Sequence, residues 1–250
     1  YFIHSVFDFM VIVMKMKEKK AEVRRKIINA AVELMSDDGF KNVSMRKIAK
    51  AAEVGDATIY NYFPNKEKIL YGYFECIVED TIEELNQTPD FHEYKLNEKV
   101  QLFLETHLSL LLSNREFVEE AFELAFLSPL AKFGAMSPVK NQISETFEGY
   151  LHAAYENEEL VPQPGSSFLS SLFWDYYVGV LVYWLKDDSE EFTQTTQLID
   201  LSLALAMSVL ESGVMSKASD MVSFLFRHHL FSGFDYLTKA MNTVRTIKRR

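Results

Sequence analysis

From Lys17 onward, apolar residues recur at intervals of three and four almost without a break, a rhythm that suits helices and little else. In "AEVRRKIINAAVELMSDDGF", Val23, Ile27, Ala30, Ala31 and Leu34 make one apolar face. Only 9 glycines and 6 prolines interrupt the 250 residues, too few to turn a many-stranded sheet. The expected fold class is all-α. The pattern predicts helices over about 17–38, 45–52, 57–63, 65–86, 95–113, 115–128, 138–158, 166–187, 190–211, 216–231 and 234–248. The first three make a helix-turn-helix domain over 17–64, with the motif itself near 45–63. A connecting helix over 65–86 follows, then a larger helical domain over 87–250.

Local signals place the early boundaries. Gly39 supplies a left-handed stop after the first helix, and Phe40 can fold back on its last turn. Ser44 caps the second helix and Asn65 the fourth. Pro64 ends the third, because it has no N–H for the helical ladder. In "DATIYNYFPNKEKIL", Ile59 and Phe63 face inward with Tyr62 at the edge of that face, so the third helix needs its neighbours to be stable. Its outer side shows Ala57, Thr58, Tyr60, Asn61 and Tyr62.

That outer face suits a DNA major groove. Asn61 can pair with adenine, and the methyls of Ala57 and Thr58 can meet a thymine methyl. Hydroxyls of Ser44, Thr58, Tyr60 and Tyr62 can bond phosphate oxygens. Arg46 and Lys47 open the second helix and can reach the backbone. Lys66 stands at the start of the fourth helix, where unpaired N–H groups attract anions. Asp56 either caps the third helix, the preferred reading, or accepts from a cytosine amino group.

Charge agrees with this placement. Residues 15–68 carry 13 Lys/Arg against 8 Asp/Glu, whereas residues 69–238 carry 8 against 27. The final dozen residues add 5 positive charges. Apart from that tail, only the first domain welcomes a polyanion.

The stretch "VSMRKIAKAAEVGDATIYNYFPNKEKIL", preceded by "RRKIINAAVELMSDDGFKNV", resembles the N-terminal domain of the TetR family of bacterial transcriptional regulators. The most specific part runs from Thr58 to Lys66, and the whole resemblance from Arg24 to Val78. It implies that Arg46 contacts bases or phosphates. It implies phosphate contacts for Ser44, Tyr60, Tyr62 and Lys66, and a place over the groove floor for Asp56, Ala57, Thr58 and Asn61. Asp56 departs from the family pattern, where Ser, Pro or Gln is usual.

The resemblance further implies a cytoplasmic homodimer on a palindromic double-stranded operator. Its second domain would form a four-helix bundle through helices 166–187 and 190–211 and take a small-molecule effector. Phe103, His107, Phe117, Phe122, Phe126, Phe147, Tyr150 and Trp174 precede or open that bundle and are the candidate effector contacts. The resulting expectation is a repressor released by its ligand. The alternative is a TetR-fold protein, such as one acting on a division or structural factor, that controls a protein partner and takes no inducer; a closed apolar pocket would favour the repressor and a filled core the alternative.

No Ser/His/Asp, phosphate-loop or zinc pattern points to an enzyme, and no cofactor or metal is expected. The acidic groups Glu79-Asp80-Glu83-Glu84 and Glu119-Glu120-Glu123 read as solvated helix faces. His228 and His229 point to different sides of one helix. Cys76, the single cysteine, sits on an apolar stripe and reads as a small buried hydrophobe. Residues 1–16 read as an atypical extension, of which 1–13 or so are expected to be appended or upstream-translated. The stretch is too short for a membrane span.

Overall fold

The computed structural model describes residues 2–127, 136–162, 166–214 and 217, and every regular element among them is helical. The helices are α1 (Phe2–Asp38), α2 (Met45–Ala51), α3 (Asp56–Tyr62), α4 (Lys66–Gln87) and α5 (Leu96–Leu112). They continue with α6 (Arg115–Phe122), α7 (Ser137–Glu156), α8 (Ser166–Leu185) and α9 (Thr193–Glu211). The expected helices over 216–231 and 234–248, with His228, His229 and the basic tail, lie outside the described residues.

Helix α1 corrects one expectation: it begins at Phe2, not Lys17, and runs unbroken for 37 residues. No glycine or proline interrupts it, and its Lys, Glu and Met residues are strong helix formers. Its early turns gain little from packing, since Met10, Ile12, Met14 and Met16 are all more than half exposed.

The first three helices close around Ile27, Ile28, Ala31, Ile48, Ala49 and Ile59. Ser44 Oγ accepts from the Lys47 N–H at 3.2 Å, and Asn65 Oδ1 accepts from the Lys68 N–H at 3.0 Å. Both caps fall where the sequence places them. Gly39 follows α1 with φ 77° and ψ 150°, a conformation that favours glycine but is not the left-handed helical stop expected there. Phe63 leaves α3 in an extended conformation and stays buried.

Helix α4 is buried on more than one side. It packs against α1 on one flank and against α5 and α7 on the other. Its expected stripe from Ile69 to Leu85 is inside, and so are Tyr71, Gly72 and Cys76. A β-carbon on Gly72 would stand 2.9 Å from Phe63 Cε1 and 3.3 Å from Arg24 Nη2, so only glycine lets α4 approach this closely. Arg24 Nη1 donates to Cys76 Sγ at 2.9 Å, and the guanidinium pairs with Glu75. Burial pushes the Glu75 carboxyl above its ordinary range, and Arg24 offsets only part of this. Arg25 pairs with Asp80 at 2.6 Å, a second clip between α1 and α4.

The hairpin between α8 and α9 is fixed by polar bonds. The Asp187 carboxylate accepts from the N–H and hydroxyl of both Ser189 and Thr195, at 2.6–2.9 Å. Arg115 Nη2 donates to the carbonyls of Trp184, Leu185 and Asp187. By length and composition α8 is apolar enough to cross a membrane, but here it packs against α5, α7 and α9.

Candidate nucleic-acid interface and effector cavity

Helix α3 presents the face that its sequence predicts. Ile59 is fully buried, whereas Ala57, Tyr60 and Asn61 are exposed and Thr58 and Tyr62 are half-buried. Ser44, Arg46 and Lys47 lie exposed at the opening of α2. Lys66 is half-buried at the start of α4.

The cations of this face already have partners. Arg46 Nε donates to Asp56 Oδ2 at 3.0 Å. Lys47 pairs with Asp38. Lys66 Nζ donates to the Phe40 carbonyl at 2.6 Å and stands 4.5 Å from that ring's centroid. Asp56 is therefore not the expected cap. Gly55 occupies the cap position without a side-chain bond, and Asp56 is the first residue of α3, turned toward α2. Nothing local announces this, because its partner lies ten residues back on another helix.

The second domain holds an apolar cavity of about 330 Å³ between α5, α7, α8 and α9, open to solvent on the side of Leu172 and Val209. Val100, Phe147, Leu169, Phe173, Leu203 and Met207 are among its walls. Ser202 Oγ donates to the Leu198 carbonyl at 2.6 Å and so accepts from Tyr176 OH at 2.8 Å, which puts one satisfied polar pair in the wall.

Of the seven aromatic candidates whose side chains are described, only Phe147 lines this cavity. It stacks on Phe173 with centroids 4.4 Å apart. Phe103, His107 and Trp174 pack behind it: Phe103 meets Phe173 at 6.4 Å and His107 at 5.8 Å, and Trp174 meets Tyr177 at 5.6 Å. Phe117 packs instead on Tyr73 at 5.1 Å, and Tyr150 on Phe91 at 5.8 Å. Phe122 is buried, and the side chain of Phe126 lies outside the described residues. Ten of the fourteen lining residues lie on α8 and α9, where the sequence expectation names only Trp174. The signal was present: α8 is apolar on all sides, so it must be covered on more than one.

Behind the cavity runs a buried polar chain. Thr81 Oγ1 gives its only hydrogen to the Ile77 carbonyl at 2.7 Å, so toward His107 it must accept. His107 Nδ1 then carries the proton and donates across 2.9 Å. Nε2 is left bare and accepts from the Tyr177 hydroxyl at 2.9 Å. Burial lowers the His107 pKa from 6.5 to about 3 and raises that of Tyr177, which keeps the ring neutral and the hydroxyl a donor. This chain joins α4, α5 and α8.

Comparison with known proteins agrees with this architecture. The profile described as bacterial regulatory proteins, tetR family, matches residues 27–72. The profile described as tetracyclin repressor-like, C-terminal domain, matches residues 99–225, half of the chain. The fatty acid metabolism regulator protein of Bacillus subtilis is 34% identical over 138 residues, which are 55% of this chain and 66% of that protein, just under two thirds. A TetR-family regulator from Syntrophomonas wolfei superposes with a TM-score of 0.57 at 20% identity, covering 78% of this chain and 97% of its own. The regulator FadR from Bacillus subtilis, solved in complex with stearoyl-CoA, gives 0.51 at 22% identity, covering 76% and 98%. These matches and the helix-turn-helix geometry agree: the chain belongs to the TetR family of bacterial regulatory proteins.

Proposed function

We propose that this protein is a sequence-specific DNA-binding transcriptional repressor that releases its operator when an apolar small molecule enters the cavity. The cavity between α5, α7, α8 and α9 carries this reading, because an apolar site of a few hundred cubic ångströms suits a small ligand. Its satisfied polar wall and aliphatic lining favour a ligand with a hydrocarbon chain. The fatty-acid regulator and the stearoyl-CoA complex among its relatives point to the same class. The rival, a TetR-fold protein that controls a protein partner and takes no inducer, calls for a filled core, and this space between α5, α7, α8 and α9 is unfilled though open on one side.

The working unit is a homodimer on a palindromic operator in the cytoplasm. Two recognition helices need two half-sites about one helical turn apart. Leu172 and Tyr183 on α8, and Leu201, Leu205 and Val209 on α9, are exposed apolar side chains that a second copy can cover.

Signal passes by a physical route. Helix α5 borders the cavity and holds α4 through His107 and Thr81. Helix α4 holds α1 through Glu75 and Asp80, and seats Phe63 at the end of α3. A ligand that prefers one setting of α5 shifts the spacing of the recognition helices, and by linkage the operator weakens the ligand. Selection of duplex DNA from a random pool, followed by release with saturated fatty acids and their thioesters, tests the reading. Failure to select any common sequence would overturn it.

A further inference from the structure

We propose that Asp56 is a specificity-determining residue that holds the Arg46 guanidinium fork-first for a guanine edge. This rests on the reading of α2 and α3 as the DNA-binding motif. Three observations carry it.

The bond uses Nε of Arg46, at 3.0 Å from Asp56 Oδ2. Both terminal nitrogens are left without a hydrogen-bond or ion-pair partner among the described residues. Those two nitrogens form the planar end fork that matches O6 and N7 of guanine in the major groove. The pair also lies beside the first turn of α3, the helix whose outer face is Ala57, Thr58, Tyr60 and Asn61.

The pair is too exposed to serve stability. The Arg46 side chain is 85% exposed and that of Asp56 56%, and exposed ion pairs contribute little to folding. Its value lies in the complex, where DNA displaces water from the pair and the strengthened bond keeps the guanidinium turned to the base edge.

Charge separates base reading from phosphate holding. A phosphate contact draws on net positive charge, and a carboxylate at 3.0 Å cancels it. A base-edge contact draws on direction, which the same carboxylate supplies. An acidic residue opening the recognition helix is a liability toward a polyanion, and a held arginine gives it a use.

The experiment is a double-mutant cycle on DNA. The preferred duplex is first selected with the full wild-type chain. Each guanine in it is then replaced, and binding is measured for wild type, Asp56→Ala, Arg46→Ala and the double variant. The expected result is one guanine whose replacement costs wild type roughly tenfold or more. Asp56→Ala loses most of that discrimination while holding or gaining affinity for random duplex. In the Arg46→Ala background, Asp56→Ala changes no base preference. Two results overturn the inference while leaving the DNA-binding reading intact. In one, Asp56→Ala shifts all sequences alike and acts only as a charge brake. In the other, it alters base preference without Arg46, so that the carboxylate itself reads a base. Wild type binding all duplexes equally would overturn the underlying reading and this inference together.

Discussion

Lys66 Nζ, at the start of α4, lies 2.6 Å from the carbonyl oxygen of Phe40, just beyond the end of α1. The side chain read from sequence as a phosphate ligand is thus also a clasp between two helices. An ammonium has three donors, so the clasp leaves two for DNA. Lys66→Ala is expected to lower stability by about 1 kcal/mol through the lost bond and ring contact. It should also weaken binding to every sequence and reduce the salt slope by about one ion. Denaturant titration and salt-dependent binding check the two effects separately.

Asn61 should behave differently. It is exposed on α3, and its amide can bond an adenine edge. Asn61→Ala is expected to relax base preference at one position by roughly 1–3 kcal/mol, leaving the salt slope unchanged. If Asn61→Ala and Lys66→Ala give the same profile across a set of operator variants, the assigned roles are wrong.

Gly72→Ala tests the seat of Phe63. The added carbon would stand 2.9 Å from Phe63 Cε1, inside normal contact. Overpacking of this kind costs about 1–3 kcal/mol. The strain falls on the residue that ends α3, so operator affinity should drop beyond what the stability loss explains. Binding measured well below the unfolding transition separates these terms.

Buried His107 predicts acid sensitivity. Its folded pKa of about 3 lies below the ordinary 6.5, so the unfolded chain takes up the proton first. The stability it contributes is present above pH 6.5 and is lost as pH falls toward 3. The loss should run at about 1.4 kcal/mol per pH unit within that window. His107→Gln should be less stable at neutral pH yet show a flatter profile between pH 6.5 and 5. Parallel profiles for the two proteins would contradict the neutral buried ring.

Val100 lines the cavity from α5 and is buried, away from the exposed apolar side chains of α8 and α9. Val100→Phe is expected to fill part of the space and blunt the response to an apolar effector while operator binding persists. Titration of the operator complex with a fatty acyl ligand checks this.

Much of the architecture was legible because local chemistry dictated it. Ser44, Asn65, Gly39 and Pro64 mark helix ends through bonds within a few residues. Ile59 marks the inner face of α3, whereas Phe63, expected on the same face by helical spacing, is buried from the extended residue that follows the helix. Three things were hidden. The start of α1 was masked by an odd composition that contains no helix breaker. The partner of Asp56 lies on another helix, where no sequence period reaches. The cavity depends on which side of α8 meets α5 and α7 and which meets α9, and a helix apolar all round does not reveal its own orientation.

Leu172 and Val209 line the apolar cavity while 46% and 40% of each remains exposed on the face proposed for a second copy. One wall therefore has two occupants to satisfy. In a dimer built on that face, effector affinity and subunit affinity share a free-energy term. Under the proposed function, the dose of ligand that frees the operator then depends on how much of the protein the cell contains.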